Sequence, residues 1–153
     1  MTDSPVSLAS LMTSSKTVTI DFPGYTGFTV DLTYLAREEL IKLRKRCLKT
    51  KFDRRTHQAE EEMDEDKFAA EFTKACVKNW KGLKLKYLED LILVDLGDND
   101  PDAELAYDFD NALSLVTNSS EFDNWINEVV FDLANFRGKS KGKTVEKTRN
   151  VAA

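Results

Sequence analysis

The stretch from Asp66 to Leu91 limits most strongly what this chain can become. Phe68, Phe72, Ala75, Cys76, Asn79, Trp80 and Leu83 recur at steps of three and four, a spacing that stacks them on one face of a helix. Glu71, Lys74, Lys78 and Lys81 fall between them and make the opposite face wet. Asp64 and Asp66 stand where unpaired amides and the positive helix end favour a carboxylate, and Gly82 stands where a helix ending takes a left-handed residue. Leu85, Leu88, Leu91 and Ile92 then begin a second apolar stripe. A stripe this wide has to press against another part of the fold. It holds no chemical equipment, so its role is packing.

The segments around it follow from the same periodicities. Val18, Ile20 and Phe22 alternate with Thr17, Thr19 and Asp21; Phe28, Val30 and Leu32 alternate with Thr29, Asp31 and Thr33. Pro23, Gly24, Tyr25, Thr26 and Gly27 lie between, so the two runs read as a β-hairpin with one buried face. A lone hairpin is marginal in water and must lie on helices or join a further sheet. A first helix is expected over about Ala36 to Lys49, with Leu40, Leu43, Cys47 and Leu48 inward. Thr50 to Glu62 is polar and aperiodic and reads as a linker, and Gly97 to Glu104 reads as a loop. A short helix over Asp108 to Thr117 turns Phe109, Ala112, Leu113 and Val116 inward. Asn118, Ser119 and Ser120 end it and cap the last helix, where Phe122, Trp125, Ile126, Val129, Leu133 and Phe136 keep the helical rhythm. The expected fold is α+β and mostly α: an N-terminal β-hairpin packed on a bundle of about four to five helices. Residues 1–15 read as a flexible arm, 16–136 as a single globular domain, and 137–153 as a disordered basic tail.

With 153 residues, 41% of them hydrophobic, one domain of this size buries roughly 70% of its unfolded surface and needs neither staples nor metals. Cys47 and Cys76 fall on apolar faces and read as reduced core thiols, which favours a reducing compartment. There is no long apolar run and no basic-then-apolar start, so the expectation is a soluble intracellular protein without a membrane partner. Net charge is −5 but comes in blocks. Between Lys42 and Arg55 eight cations stand against one carboxylate; between Glu60 and Lys67 six carboxylates stand against one cation. A basic block followed at once by an acidic one can neutralise itself across a turn, which weakens a nucleic-acid reading. Phe52 is the only aromatic interleaved in the basic block, so stacking platforms are missing too.

Catalytic and metal chemistry find little to stand on. His57 is the only histidine and lies in a solvated stretch with no second ligand nearby. Asp98, Asn99, Asp100 and Asp102 open like a calcium loop, but Ala103 stands where that loop needs glycine and Phe109 where it needs a bidentate glutamate. Gly138 to Thr144 resembles a phosphate loop with one residue too few between its glycines, and it follows no strand. No catalytic residue, cofactor site or metal site is therefore expected. What remains is surface for protein partners. Tyr25 and Phe28 are more apolar than a turn requires, and Trp80 and Trp125 lead the two strongest helices; Trp is enriched at binding hot spots. These four are the candidate partner-binding residues.

At this point a resemblance enters. The hairpin followed by Leu35 to Leu40, then Thr50-Lys51-Phe52-Asp53, Thr56 to Glu62, Trp80-Lys81-Gly82-Leu83, Asn111-Ala112-Leu113 and Phe122-Asp123-Asn124-Trp125 resemble, in this order, the small tail assembly chaperones of long-tailed bacteriophages. Ala59 and Asp108-Phe109-Asp110 depart from that pattern, which often has Pro and Ser-Glu-Glu there. The resemblance implies a non-enzymatic role in the host cytoplasm. Such proteins bind the tape measure protein, keep it soluble, help recruit tail tube subunits, and are absent from the mature virion. It also implies a late ribosomal frameshift giving a longer product that reaches the tail tube protein; Gly138-Lys139 and Gly142-Lys143 are dipeptides a slippery run would encode. Self-association is compatible with this role. The competing readings are a structural protein of the tail or head–tail junction and, less favoured, a nucleic-acid-binding regulator using Lys42 to Arg55.

Overall fold

The computed structural model describes residues 6–12 and 16–137. The element order is α1 (Leu8–Leu11), β1 (Thr17–Asp21), β2 (Thr29–Thr33), α2 (Arg37–Arg46), β3 (Leu48–Asp53), β4 (Gln58–Met63), α3 (Glu65–Cys76), β5 (Val77–Lys81), α4 (Leu85–Leu91), α5 (Phe109–Asn118), α6 (Ser120–Val130) and a 3-10 turn, Leu133–Asn135. The strands form two antiparallel sheets, β1-β2-β5 and β3-β4. The expected N-terminal hairpin on a bundle of four to five helices is therefore corrected. The hairpin exists, but strands are spread along the chain, and helices cover a three-stranded sheet.

The reason lies in Val77–Lys81. These residues continue the apolar count of the preceding helix, yet they form a strand that pairs with β2 through Thr29↔Lys81, Val30↔Trp80 and Asp31↔Asn79, with an irregularity before Leu32↔Val77. Alternate residues Val77 and Lys78 are buried and exposed in turn, and Trp80 and Lys81 likewise. The third strand meets the need of a marginal hairpin for more sheet. Helix α3 thus ends at Cys76; its start is as expected, with the Asp64 carboxylate accepting from the Lys67 amide at 3.1 Å. Gly82 does adopt a left-handed φ of +74°, but at the end of a strand. Three further boundaries differ. Helix α2 stops at Arg46, so Leu48 is exposed. Thr50 to Glu62 is no linker but most of a hairpin. Helix α6 ends at Val130; Leu133 in the 3-10 turn is exposed, while Phe136 is buried. Phe109, expected inward, is 37% exposed.

The core lies between the sheet β1-β2-β5 and helices α3, α5 and α6. Val18, Ile20, Phe22, Phe28, Val30, Leu32, Val77 and Trp80 come from the sheet region, and Phe72, Cys76, Leu115, Phe122, Trp125, Ile126 and Val129 come from the helices. Phe22 meets the Trp125 ring edge-on at 4.8 Å, and Phe28 stacks on Phe122 at 6.4 Å. The other sheet face is polar: Thr17 and Thr33 hydroxyls lie 2.7 Å apart, and Thr19 donates to Asp31 at 2.6 Å. Ser119 both ends α5 and caps α6, its hydroxyl accepting from the Phe122 amide at 3.1 Å. Residues 1–5, 13–15 and 138–153 lie outside the described residues, so the basic tail, its loop-like glycines and its frameshift dipeptides do too.

Two predictions follow from this packing. A Cβ on Gly82 would sit 2.0 Å from the Gly27 carbonyl oxygen and 2.7 Å from its carbon. Gly82→Ala should therefore lose well over 1 kcal/mol in urea denaturation, whereas Gly97→Ala, with φ +57° and open space around it, should lose about 1 kcal/mol. Burial also pushes the Cys76 thiol up to about 12. The unfolded thiol ionises near about 8.5, so the native state holds a proton that the unfolded state releases. Stability should fall as pH rises from about 8.5 toward the native value, by up to about 1.4 kcal/mol per unit, and Cys76→Ala should flatten that slope in melts taken at increasing pH.

Candidate interaction surface

The four residues expected to meet a partner are all packed into or onto the body. Phe28, Trp80 and Trp125 are core residues, and Trp80 donates its indole N–H to the Leu105 carbonyl at 2.9 Å. Tyr25 is half-buried; its ring lies 5.2 Å from both Phe22 and Tyr87. Burial pushes its hydroxyl above the ordinary tyrosine value, with the nearby Glu121 and Asp90 carboxylates acting in the same direction. The structure brings Trp80, Trp125, Phe22 and Phe28 together around Phe122. These rings pack on one another, and the buried Trp125 indole N–H has no hydrogen-bond partner.

The acidic loop has local work. The Asp95 carboxylate accepts from the Gly97 amide and the Asp100 carboxylate from the Asp102 amide, each at 2.9 Å, and Asn99 donates to the Leu96 carbonyl. Asp102 pairs with Lys86 at 3.0 Å, which holds its carboxyl below the usual range. The loop then lies along α4 and β5, with Leu85 donating to the Ala103 carbonyl and Leu105 to that of Leu83. Among the described residues, no three His, Cys, Asp or Glu side chains gather in a way that could hold a metal ion. No helix among them is long and apolar enough to cross a membrane.

Two surface features stand apart from the packed body. One is an open groove between α3 and the α5–α6 pair, of about 350 Å³, lined by Glu65, Phe68, Ala69, Phe72, Val116 and Asp123 among others. Phe68 stacks on Phe72 with ring centres 6.0 Å apart, and Phe131, 40% exposed, extends this aromatic row at 6.1 Å from Phe72. Burial raises the Asp123 carboxyl above its usual value, opposed by a hydrogen bond from Asn127. The groove mixes apolar floor with acidic rim.

The other surface is the hairpin β3–β4. Every side chain from Leu48 to Glu62 except that of Asp53 is exposed. The basic and acidic blocks meet across its turn: the register sets Lys49 opposite Glu62 and Lys51 opposite Glu60, and the Lys49–Glu62 pair closes to 3.7 Å. These four share one face, because opposed residues point to the same side. The reverse face carries Leu48, Phe52, Ala59 and Met63 with Thr50 and Glu61. At the base, the Asp64 amide donates to the Cys47 carbonyl at 2.7 Å. At the tip, the Asp53 carboxylate accepts from the Arg55 amide, and His57 takes φ +58° in the turn, its ring 6.2 Å from that of Phe52. This arm was hidden in the sequence because it buries neither face, and strand alternation is legible only when one face is apolar.

The contrast between arm and body is measurable. Phe52→Ala, at a ring 59% exposed, should shift unfolding free energy by less than about 0.5 kcal/mol. Phe28→Ala, at a fully buried ring, should cost about 3–5 kcal/mol in the same denaturant titration.

Comparison with known proteins finds a family. The family model described as "YdaY prophage protein" covers residues 36–147, which takes in the arm, the groove and every helix after the first hairpin. No curated protein and no solved structure matches the chain. The match spans well over half of the sequence, and the chain belongs to the YdaY prophage protein family.

Proposed function

We propose that this protein is a tail assembly chaperone that binds the tape measure protein of its phage, keeps it soluble and helps bring tail tube subunits to it. Membership of a prophage family supports a phage task. The ordered set of stretches shared with tail assembly chaperones supports this one. The structural observation that carries the reading is the groove between α3 and the α5–α6 pair, floored by Phe68, Ala69, Phe72 and Val116, with the half-exposed Phe131 beyond Phe72.

The physical case runs from the partner's needs. A tape measure is long, largely helical and apolar in stripes, so it aggregates when bare. An amphipathic helix lays its apolar face into a hydrophobic groove through anchors spaced three and four residues apart. A groove this small and open covers only a short segment. Many copies would mask a long chain, and each contact would be weak enough for tube subunits to displace. Glu65 and Asp123 on the groove's rim would favour a basic flank on the bound helix.

The test is co-expression with the tape measure protein of the same phage. Its soluble yield should rise several-fold, and the two should co-purify. Phe68→Ala, at a half-buried ring that lines the groove, should weaken co-purification, with a melt of the variant reporting separately that the body still folds. Absence of both rescue and co-purification would remove the reading. Stoichiometric recovery of the protein from purified particles would replace it with a structural role in the tail or head–tail junction.

A further inference from the structure

The arm has two free edges, and they differ in charge. Strand β3 pairs only with β4 in its sheet, so each strand keeps one ladder of backbone donors and acceptors open along its outer side. Along β3 the charged side chains are Lys49, Lys51 and, at its far end, Asp53; along β4 they are Glu60, Glu61 and Glu62, so the β3 edge carries a net positive charge and the β4 edge a negative one. The arm contains no proline, the residue that most directly blocks addition of a further strand. Exposed edges in stable proteins are often blunted by charge. Like charges on both edges would repel every copy. Opposite charges repel only some of the possible arrangements.

We propose that copies of this chain join head to tail through the arm, the β3 edge of one copy pairing with the β4 edge of the next. A two-fold contact would set β3 against β3 or β4 against β4. A β3 pair centred on Thr50 sets Lys49 against Lys51, and one centred on Lys51 sets that lysine against itself with only Lys49 and Asp53 in compensation; a β4 pair puts glutamates beside glutamates, and like charges directly opposed are destabilising. Head-to-tail addition places Lys49 and Lys51 between two rows of glutamates, one from their own β4 and one from the neighbour's. It also continues the antiparallel order, since β3 and β4 already run in opposite directions. On the reverse face it brings Leu48 and Phe52, 41% and 59% exposed, against Met63 and Ala59 of the next copy, so that isolated apolar side chains become continuous rows. The contact is heterologous, since different patches of identical chains meet. It needs no tape measure protein and stands or falls apart from the proposed function.

Sedimentation of the full-length chain tests it without any variant. The average mass should rise above the 17.4 kDa monomer with increasing concentration and fall back when salt is added, because the edge charges are exposed and screened. Geometry is tested with two variants that each add one exposed cysteine, Lys49→Cys and Glu62→Cys, joined by direct disulfide formation, which spans one strand spacing but not two; the native Cys47 and Cys76 are buried. Mixed copies should cross-link to heterodimers, and neither variant alone should cross-link to itself. Self-cross-linking of either variant alone would show a two-fold contact and overturn the proposal. So would a mass that stays monomeric at every concentration, or association that begins only when a long helical partner is added. Glu60→Lys with Glu62→Lys should abolish association, and retention of it at full strength would count equally against the proposal.

Discussion

Strand β5 begins at the residue after α3 ends, with no connector between Cys76 and Val77. The rest of the body depends on that direct step. It ties the position of α3 to the sheet edge at β2, nearly fifty residues back along the chain, and it delivers Trp80 beside Val30 in the register. Trp80 in turn meets Tyr107 edge-on at 5.1 Å and Phe122 at 6.4 Å. One ring therefore joins the sheet, the loop before α5 and helix α6. Tyr107 adds a second tie by donating its hydroxyl to the Val77 carbonyl at 2.8 Å. Gly82 follows the strand and lets the backbone pass against Gly27 at a distance that no side chain would allow. Burial, a hydrogen bond from an aromatic tip and a backbone contact all act on the same five-residue strand.

The arm is held by other means. It gains little from burial, since both faces are wet, and is kept in register by opposed charges and by the bond between Asp64 and Cys47 at its base. Exposed ion pairs are individually weak, so the arm is the least stable sheet in the molecule and the one with most surface to spare. The body follows the opposite rule. Its groove beside α3 exists because Phe68 lies at the outer side of an apolar stripe whose inner side, Phe72 and Cys76, is committed to the core. The helix that packs the protein thus also lays part of its apolar stripe along an open groove.

Much of this was legible from residue spacing. The first hairpin, α5, α6 and the caps at Asp64 and Ser119 follow from local pattern, because each is an element whose own residues carry its signal. Two features did not. Val77–Lys81 sits in phase with the helical stripe before it, so period alone could not separate a strand from one more turn of helix; the deciding fact, an open edge on β2, lies far away in sequence. The arm failed to show for the reason already given, that charge pairing leaves no period of two in hydrophobicity. The block of cations followed by a block of carboxylates is its signature, since charges that neutralise each other across a turn are also charges that two antiparallel strands can oppose. Burial of Phe28, Trp80 and Trp125 has a similar lesson: large aromatic side chains are as much at home in a core as at a contact.

The closed base of the arm has a consequence for how this chain could vary. The carbonyl of Cys47 and the amide of Asp64 meet at 2.7 Å, and nearly everything between them projects into solvent. The body therefore experiences only the two ends of that insert and is indifferent to its reach. Adding or removing two residues per strand would lengthen or shorten the projection and leave each side chain on its original side, whereas a change of one residue in each strand would exchange the ionic side for the greasy one. The projection behaves as a cassette whose length is adjustable in steps of two.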